Sequence, residues 1–219
     1  RVLFRSGKRE GSGMSAHAQA QQWSVDELRE LQVWHKLAWV DPFYLAGDAR
    51  VRRLVEKGRG FTEGDKATLR EVELEILGKV IPEYRDLAAT GQVELSTSPF
   101  YHPILPLLCD SDVYLRTHPQ SRMPRDRFRR PDDAAAQIER SIALHERLFG
   151  MRPTGMWPSE GSVSDEVVGL AARAGLKWIA TDEAILARSL NTDVRAEELY
   201  RPYAAGAADM PVEIGRAHV

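Results

Sequence analysis

Apolar residues recur at helical spacing through the first part of the chain, beginning near residue 24. Ser24-Val25-Asp26-Glu27 matches a capping box and predicts a helix that continues to Trp39. Asp41-Pro42 is predicted to end this helix, because the residue before a proline disfavours helical geometry. A second, short helix is predicted over residues 49–56.

A longer helix is predicted to follow, with Thr62 as a plausible N-cap. Pro82 is predicted to interrupt it, so that a separate helix covers residues 83–89 and ends at Gly91. The predicted buried face of the longer helix consists of Leu69, Val72, Leu74, Ile76, Leu77 and Val80.

After residue 90 the pattern alternates between strand and helix. The predicted elements are a strand over 92–97, a Pro-containing loop over 98–130, a helix over 131–150, a strand over 154–157, a helix capped by Ser162 or Ser164 that ends at Gly175, a strand over 176–181, and a helix from Asp182. Such alternation favours parallel strands joined by crossover helices. The fold class is therefore α/β, and periodicity alone leaves open a barrel or an open doubly wound sheet.

The two ends of the chain contain segments that match one DNA word. Within residues 1–6 and 213–219, the reverse complement of AGATCGGAAGAGC encodes Leu3-Phe4-Arg5-Ser6, and the word itself, read behind a G, encodes Glu213-Ile214-Gly215-Arg216-Ala217. This word resembles a sequencing adapter. We therefore expect an internal fragment flanked by adapter-like scars. The predicted organisation is a scar and flexible lead-in over 1–23, a helical subdomain or insertion over 24–90, part of a catalytic barrel over 91–212, and a scar over 213–219.

Composition narrows the class of partner. The 219 residues are 43% hydrophobic and 28% charged, and 30 basic residues against 32 acidic ones give a net charge of -2. This balance argues against nucleic acid or an anionic membrane as a partner and favours a neutral one. A single cysteine and the absence of zinc-finger spacing predict neither a disulfide nor a metal site. Without an apolar run of about 18 residues, a cytoplasmic location is expected.

The strongest candidate for chemistry is Glu160, in the sequence Pro-Ser-Glu-Gly that directly follows a predicted strand. Parallel α/β folds bind their ligands at this edge of the sheet. Trp157 could offer an aromatic platform beside it, and Gly161 would allow close approach. The alternative interpretation is that Glu160 caps the next helix or is simply solvated.

A second group of candidates contains Glu94, His102 and Asp182. Glu94 lies inside a predicted strand and would be a buried carboxylate in need of a partner if that strand is interior, or a solvated one at a sheet edge. His102 lies in the following loop, and Asp182 follows the strand over 176–181 at the same expected edge as Glu160. Asp182 fits the first turn of a helix equally well. His145 is predicted to lie at the surface or the rim of the core.

Three motifs resemble glycoside hydrolase family 57, the α-amylase and 4-α-glucanotransferase group. They are Gly91-Gln92-Val93-Glu94, His102-Pro103-Ile104-Leu105-Pro106-Leu107-Leu108 and Gly155-Met156-Trp157-Pro158-Ser159-Glu160. The resemblance spans roughly residues 28–203. It implies part of an incomplete (β/α)7 barrel, with an N-terminal helical segment, that acts on an α-glucan with retention. It also implies Glu160 as the nucleophile and a substrate-binding or supporting role for Glu94, and we add His102, Trp157 and Asp182 as substrate-binding candidates.

The resemblance is partial. The family's acid/base aspartate and its His-Gln-Pro motif do not appear in this chain, so we expect this stretch to be inactive by itself. Ser159 and Gly161 also differ from the neighbours that better-known members carry, which leaves substrate preference open. Because a carboxylate pair carries out retaining hydrolysis, no metal or organic cofactor is expected.

Two other functions remain open from the sequence. A non-catalytic glucan-binding protein could share the fold, since fold does not determine activity. A metal-dependent polysaccharide deacetylase also uses a distorted barrel, but it needs an aspartate with a His-x-x-x-His pair, and the six histidines contain no such pair.

Overall fold

The computed structural model describes residues 22–206 and 210–215. The chain divides into two compact units, of which the first ends at Val80 and the second begins at Ile81. The predicted flexible lead-in lies outside the described residues except for positions 22 and 23, as do residues 216–219 of the predicted C-terminal scar.

Helices α1 to α4 begin the described chain. They are α1 (Val25–Leu37), α2 (Pro42–Gly47), α3 (Ala49–Lys57) and α4 (Glu63–Ala89). The capping box at Ser24 and Glu27 is present as predicted. Helix α2 was not predicted, because Pro42 was interpreted only as a stop. In the structure Pro42 occupies the first turn of α2, where its missing N–H costs nothing, and the side chain of Asp41 caps that helix.

Helix α4 corrects two predictions. It continues through Pro82 without interruption, since the ring lies on an exposed turn where water can hydrogen-bond to the carbonyl that loses its donor. Its predicted buried face is also too wide, because only Leu69 and Val72 are buried and Leu74, Leu77 and Val80 are exposed. The core of the first unit consists of Val33, Leu37, Val51, Leu54, Phe61, Leu69 and Val72.

The second unit contains a mixed four-stranded sheet. Its further elements are α5 (Leu105–Cys109), α6 (Pro131–Phe149), β1 (Gly155–Met156), α7 (Asp165–Arg173), β2 (Trp178–Asp182), α8 (Glu183–Leu190), β3 (Tyr203–Ala205) and β4 (Met210–Gly215). The strand order is β1-β2-β4-β3, in which β1, β2 and β4 are parallel and β3 is antiparallel to β4. The predicted α/β class is thus confirmed.

The predicted strand over residues 92–97 is wrong except at its end. Only Thr97 pairs, in an isolated parallel bridge with Met156, where the Thr97 amide donates to the Gly155 carbonyl at 3.0 Å. Within the described chain, residues 92–96 have no strand beside them to complete a ladder. The predicted loop over 98–130 contains α5 and a 3₁₀ helix over Ser111–Arg116. Strand β4 continues to Gly215, three residues past the boundary predicted at 212.

One face of the sheet carries the core. Met156 and Ile179 are paired neighbours on β1 and β2, and both are fully buried with residues of α6 and α7, such as Ile138 and Val167. Because side chains alternate along a strand, Gly155 and its pairing partner Trp178 lie on the opposite face. None of the helices within residues 22–206 is long and apolar enough to cross a membrane.

Candidate functional site

The structure brings together Glu160 and His102, which are 58 residues apart in the chain. The Nε2 atom of His102 lies 3.3 Å from Oε1 of Glu160. Both side chains are open to solvent, with 74% of the Glu160 side chain and 55% of the His102 side chain exposed. Glu160 follows β1 in a 3₁₀ turn over Ser159–Gly161, and His102 lies in the segment after Thr97. The carboxylate is therefore accessible to a ligand while one oxygen already faces an imidazole.

Both residues adopt backbone conformations that non-glycine residues rarely use. The φ angle is 56° at Glu160 and 56° at His102, in the left-handed region. Such conformations cost about 1–3 kcal/mol each and persist only where the surroundings impose them. Residues held in this way are concentrated at functional sites. Two of them in direct contact make this pair the leading candidate for the site.

The turn that presents Glu160 rests on the end of β2. The buried hydroxyl of Thr181 donates to the Gly161 carbonyl at 2.6 Å, and the Gly161 amide donates to the Pro158 carbonyl at 2.9 Å. Gly161 has a φ of 63°, so two successive residues are left-handed and the second is a glycine, which adopts that geometry without strain. Strand β2 thereby fixes the direction in which Glu160 leaves the sheet.

The segment that presents His102 rests on α6. The Tyr101 amide donates to Oε1 of Gln137 at 2.8 Å, and the Phe100 amide donates to the Gln137 backbone carbonyl at 3.2 Å. The His102 amide closes a turn by donating to the Pro99 carbonyl at 2.9 Å. Each side of the Glu160–His102 pair is therefore anchored to a different element of the second unit.

Trp157 lies beside this turn. A Cβ atom added at Gly161 would lie 3.7 Å from Cζ2 of Trp157. The indole is half-buried. Its place beside the Glu160 turn agrees with the predicted aromatic platform, and its role in binding stays a prediction.

Asp182 lies at the same edge of the sheet as Glu160 and also caps a helix. Its Oδ1 accepts a hydrogen bond of 2.9 Å from the Ile185 amide and so caps α8. A Cβ atom added at Gly161 would lie 3.6 Å from Oδ2 of Asp182, so the second oxygen faces the Glu160 turn. The two interpretations drawn from the sequence, an edge residue and a helix cap, thus describe the same side chain.

Glu94 lies elsewhere. Its Oε1 accepts hydrogen bonds from the hydroxyl of Thr154 and, at 2.8 Å, from Nε1 of Trp178. These bonds, that of Thr154 first, hold the pKa of the Glu94 carboxyl below its usual value. Thr154 and Trp178 stand where β1 and β2 begin, whereas Glu160 and Asp182 stand where those parallel strands end. The structure therefore places Glu94 at the opposite edge of the sheet, exposed but hydrogen-bonded.

Two further polar groups belong to the packing of the second unit. His145, predicted at the surface or core rim, is only 4% exposed, and its Nδ1 lies 2.9 Å from the Met151 carbonyl, so it ties α6 to the chain before β1. Burial raises the pKa of the Cys109 thiol to about 11 and makes it unreactive at neutral pH. Among residues 22–206 and 210–215, no three His, Cys, Asp or Glu side chains form a group that could hold a metal.

Gln137 and Thr181 are two residues of the site that no sequence pattern indicates. Both lie outside the three motifs, in a helix and a strand whose patterns are ordinary. Their contacts with residues 100–101 and with Gly161 arise from the tertiary fold, since the partners are 36 and 20 residues away. In the sequence, only the family resemblance connected His102 with Glu160; their contact is visible in the structure alone.

Comparisons with known proteins agree with the motifs. The sequence model of glycosyl hydrolase family 57 matches residues 14–214. Over 131 residues the chain is 27% identical to α-amylase 1 of Dictyoglomus thermophilum, which corresponds to 58% of this chain and 16% of that protein.

Solved structures with a similar fold include two enzymes. TK1436, a family 57 branching enzyme from Thermococcus kodakaraensis, has a TM-score of 0.50 and 20% identity, and the match covers 87% of this chain and 34% of that one. The α-amylase AmyC from Thermotoga maritima has a TM-score of 0.49 and 15% identity over 86% of this chain and 30% of that one. The chain thus spans about a third or less of the length of these proteins.

Proposed function

Because the chain belongs to glycosyl hydrolase family 57, we propose that it forms part of a retaining enzyme that hydrolyses or transfers α-glucans through a covalent intermediate on Glu160. The observation that carries the proposal is the exposed carboxylate of Glu160 at the exit of β1, with the His102 imidazole 3.3 Å away. The substrate class is an α-glucan or a related oligosaccharide, which matches the absence of a strong net charge.

The proposed chemistry begins with attack by an oxygen of Glu160 on the anomeric carbon. A bond forms between that oxygen and C1 while the glycosidic C1–O bond breaks, and the leaving oxygen takes a proton from a second carboxylic acid. The resemblance assigns this acid to a later motif that the chain does not contain. Water or an acceptor sugar then attacks C1 and gives its proton to the second carboxylate, and the C1–Glu160 bond breaks to release Glu160 as a carboxylate.

The remaining site residues receive narrower roles in the proposal. His102 holds one oxygen of Glu160, which leaves the other free to attack. Trp157 offers a ring face next to the turn, and Asp182 directs Oδ2 toward the same turn. Glu94, at the opposite end of the strands, contributes by fixing Thr154 and Trp178 and not by touching the same sugar. In this proposal the parallel strands belong to the incomplete (β/α)7 barrel.

The test uses the complete gene product that contains this chain, with α-glucosyl fluoride as substrate. Fluoride leaves without protonation, so its release reports on the nucleophile and not on the acid. We expect Glu160→Ala to abolish fluoride release and azide to restore it, because azide can enter the space left by the side chain and attack C1 in its place. The product is then β-glucosyl azide, which NMR identifies by its anomeric configuration.

Glu139→Ala is the matched control, since this glutamate lies on the exposed side of α6 and should leave fluoride release unchanged. Turnover of Glu160→Ala at the unmutated rate without azide would overturn the assignment. Release restored with an α-configured azide would also overturn it, since that outcome marks an acid/base residue. Binding of maltooligosaccharides without any turnover by the unmutated protein would favour the non-catalytic alternative.

A further inference from the structure

We propose that Gln137, a residue of α6 outside all three motifs, is a positioning residue that holds the His102 ring against Glu160. The proposal rests on the function proposed above. The hydrogen bonds of Gln137 go to neither member of the pair. The residue acts on the backbone of residues 100 and 101, which leads directly into the left-handed His102.

The geometry requires an anchor at this point. His102 has a φ of 56°, a conformation that relaxes unless neighbouring residues are fixed. The turn from the Pro99 carbonyl to the His102 amide is local and sets only the shape of the segment. The Thr97 bridge joins the start of the segment to β1, and the two bonds to Gln137 join its middle, next to His102, to a helix 36 residues further along the chain.

Helix α6 is a rigid support for this purpose. Ala134 and Ile138, on either side of Gln137 along the helix, are 0% and 1% exposed and belong to the main core of the second unit. Gln137 itself is half-buried. Its backbone carbonyl accepts from Phe100 and its side-chain oxygen accepts from Tyr101, so one residue fixes two successive amides. Rotation of the segment about a single bond is thereby prevented.

The side-chain oxygen can be removed while the backbone contact stays. Gln137→Leu keeps similar volume but leaves the Tyr101 amide without its acceptor, whereas Gln137→Glu keeps an acceptor at the same reach. A displacement of about 1 Å in catalytic geometry can lower a rate by about 100-fold. We therefore expect Gln137→Leu to lower kcat for α-glucosyl fluoride by about 10- to 100-fold in the complete gene product, with a smaller change in KM, and Gln137→Glu to restore most of it.

A second measurement follows the contact itself. In the 219-residue chain, amide hydrogen exchange of Tyr101 measured by NMR should be faster in Gln137→Leu than in the unmutated chain and close to normal in Gln137→Glu. Glu139→Leu, an exposed position on the same helix, is the control and should change neither kcat nor the exchange of Tyr101. If Gln137→Leu does not fold, Gln137→Asn replaces it, because its shorter side chain moves the oxygen away from the Tyr101 amide.

The outcomes separate this inference from the function on which it rests. Unchanged kcat in Gln137→Leu or Gln137→Asn overturns the positioning role, and so does a loss of kcat that Gln137→Glu fails to restore. If Glu160→Ala loses turnover while Gln137→Leu keeps it, only the inference fails. If Glu160→Ala keeps turnover, the proposed nucleophile fails, whatever the Gln137 variants do.

Discussion

At the residue scale, the strands depend on a glycine where a tryptophan ring crosses the backbone. A Cβ atom added at Gly155 would lie 1.9 Å from Cε2 of Trp178, on the paired strand. The indole cannot easily move aside, because its Nε1 donates to Glu94. Gly155, Trp178 and Glu94 therefore form one arrangement in which the carboxylate keeps the ring flat against the strand.

We predict that Gly155→Ala lowers the free energy of unfolding by about 1–3 kcal/mol, the usual cost of overpacking, measured by urea denaturation. Gly78→Ala is the control, since a Cβ atom there would meet nothing within 4 Å and alanine favours the helix. Stability of the control should be unchanged or higher. Equal stability of Gly155→Ala and the unmutated chain would mean that the Trp178 ring does not lie over Gly155.

At the scale of elements, the segment between α5 and α6 is a long loop whose two ends are joined to each other by hydrogen bonds. The Ser111 amide donates to the Phe128 carbonyl at 2.9 Å, and the Phe128 amide donates to the Ser111 hydroxyl at 3.0 Å. Next to this pair, Arg127 bonds to both oxygens of Asp110, through its Nε at 2.7 Å and through Nη2. The two ends of this stretch, which was predicted only as a loop, are thus bonded to each other.

The ion pair between Asp110 and Arg127 makes the stability of the fold depend on pH in the acid range. Hydrogen bonding to Arg127 lowers the pKa of the Asp110 carboxyl from 3.8 to about 2. Because the pKa is depressed in the folded state, the contribution is fully present above about pH 4 and is lost as the pH falls to about 2. We predict that Arg127→Gln lowers Tm at pH 6 and that its difference from the unmutated chain disappears near pH 2.

Thermal unfolding followed by circular dichroism between pH 6 and pH 2 measures this effect. Arg125→Gln removes the same charge two positions earlier and should show a smaller difference that does not follow the titration of Asp110. A constant difference between Arg127→Gln and the unmutated chain over the whole range would show that the ion pair does not stabilise the fold.

Local signals in the sequence predicted the elements well, and long-range contacts explain where they did not. Ser24 and Ser164 cap their helices as the sequence indicated, and Gly150 ends α6 in the left-handed conformation, because capping depends on a few adjacent residues. The strand over 92–97 failed because a strand needs a partner that periodicity does not reveal. The contact of Glu160 with His102 likewise depends on two turns anchored to separate elements.

At the scale of the whole molecule, the two faces of the sheet differ in a way that supports the barrel proposed above. Helices α6 and α7 cover the face of Met156 and Ile179, as the outer helices of a barrel would. Gly155 and Trp178 lie on the other face, which a closed barrel would turn inward. The barrel would then hold Glu94 near its lower end and Glu160 at its upper end, where enzymes of such folds bind substrate.

The proposed function predicts what the 219-residue chain can do by itself. It holds the proposed nucleophile but not the family's acid/base motif, and an unactivated glycosidic bond needs both. We expect the chain alone to release no reducing ends from amylose, while the complete gene product releases them in the same assay. Hydrolysis by the chain alone would mean that the acid lies within these residues. Asp182 would then be the first candidate, because its Oδ2 faces the Glu160 turn, and Asp182→Asn would be expected to abolish that activity.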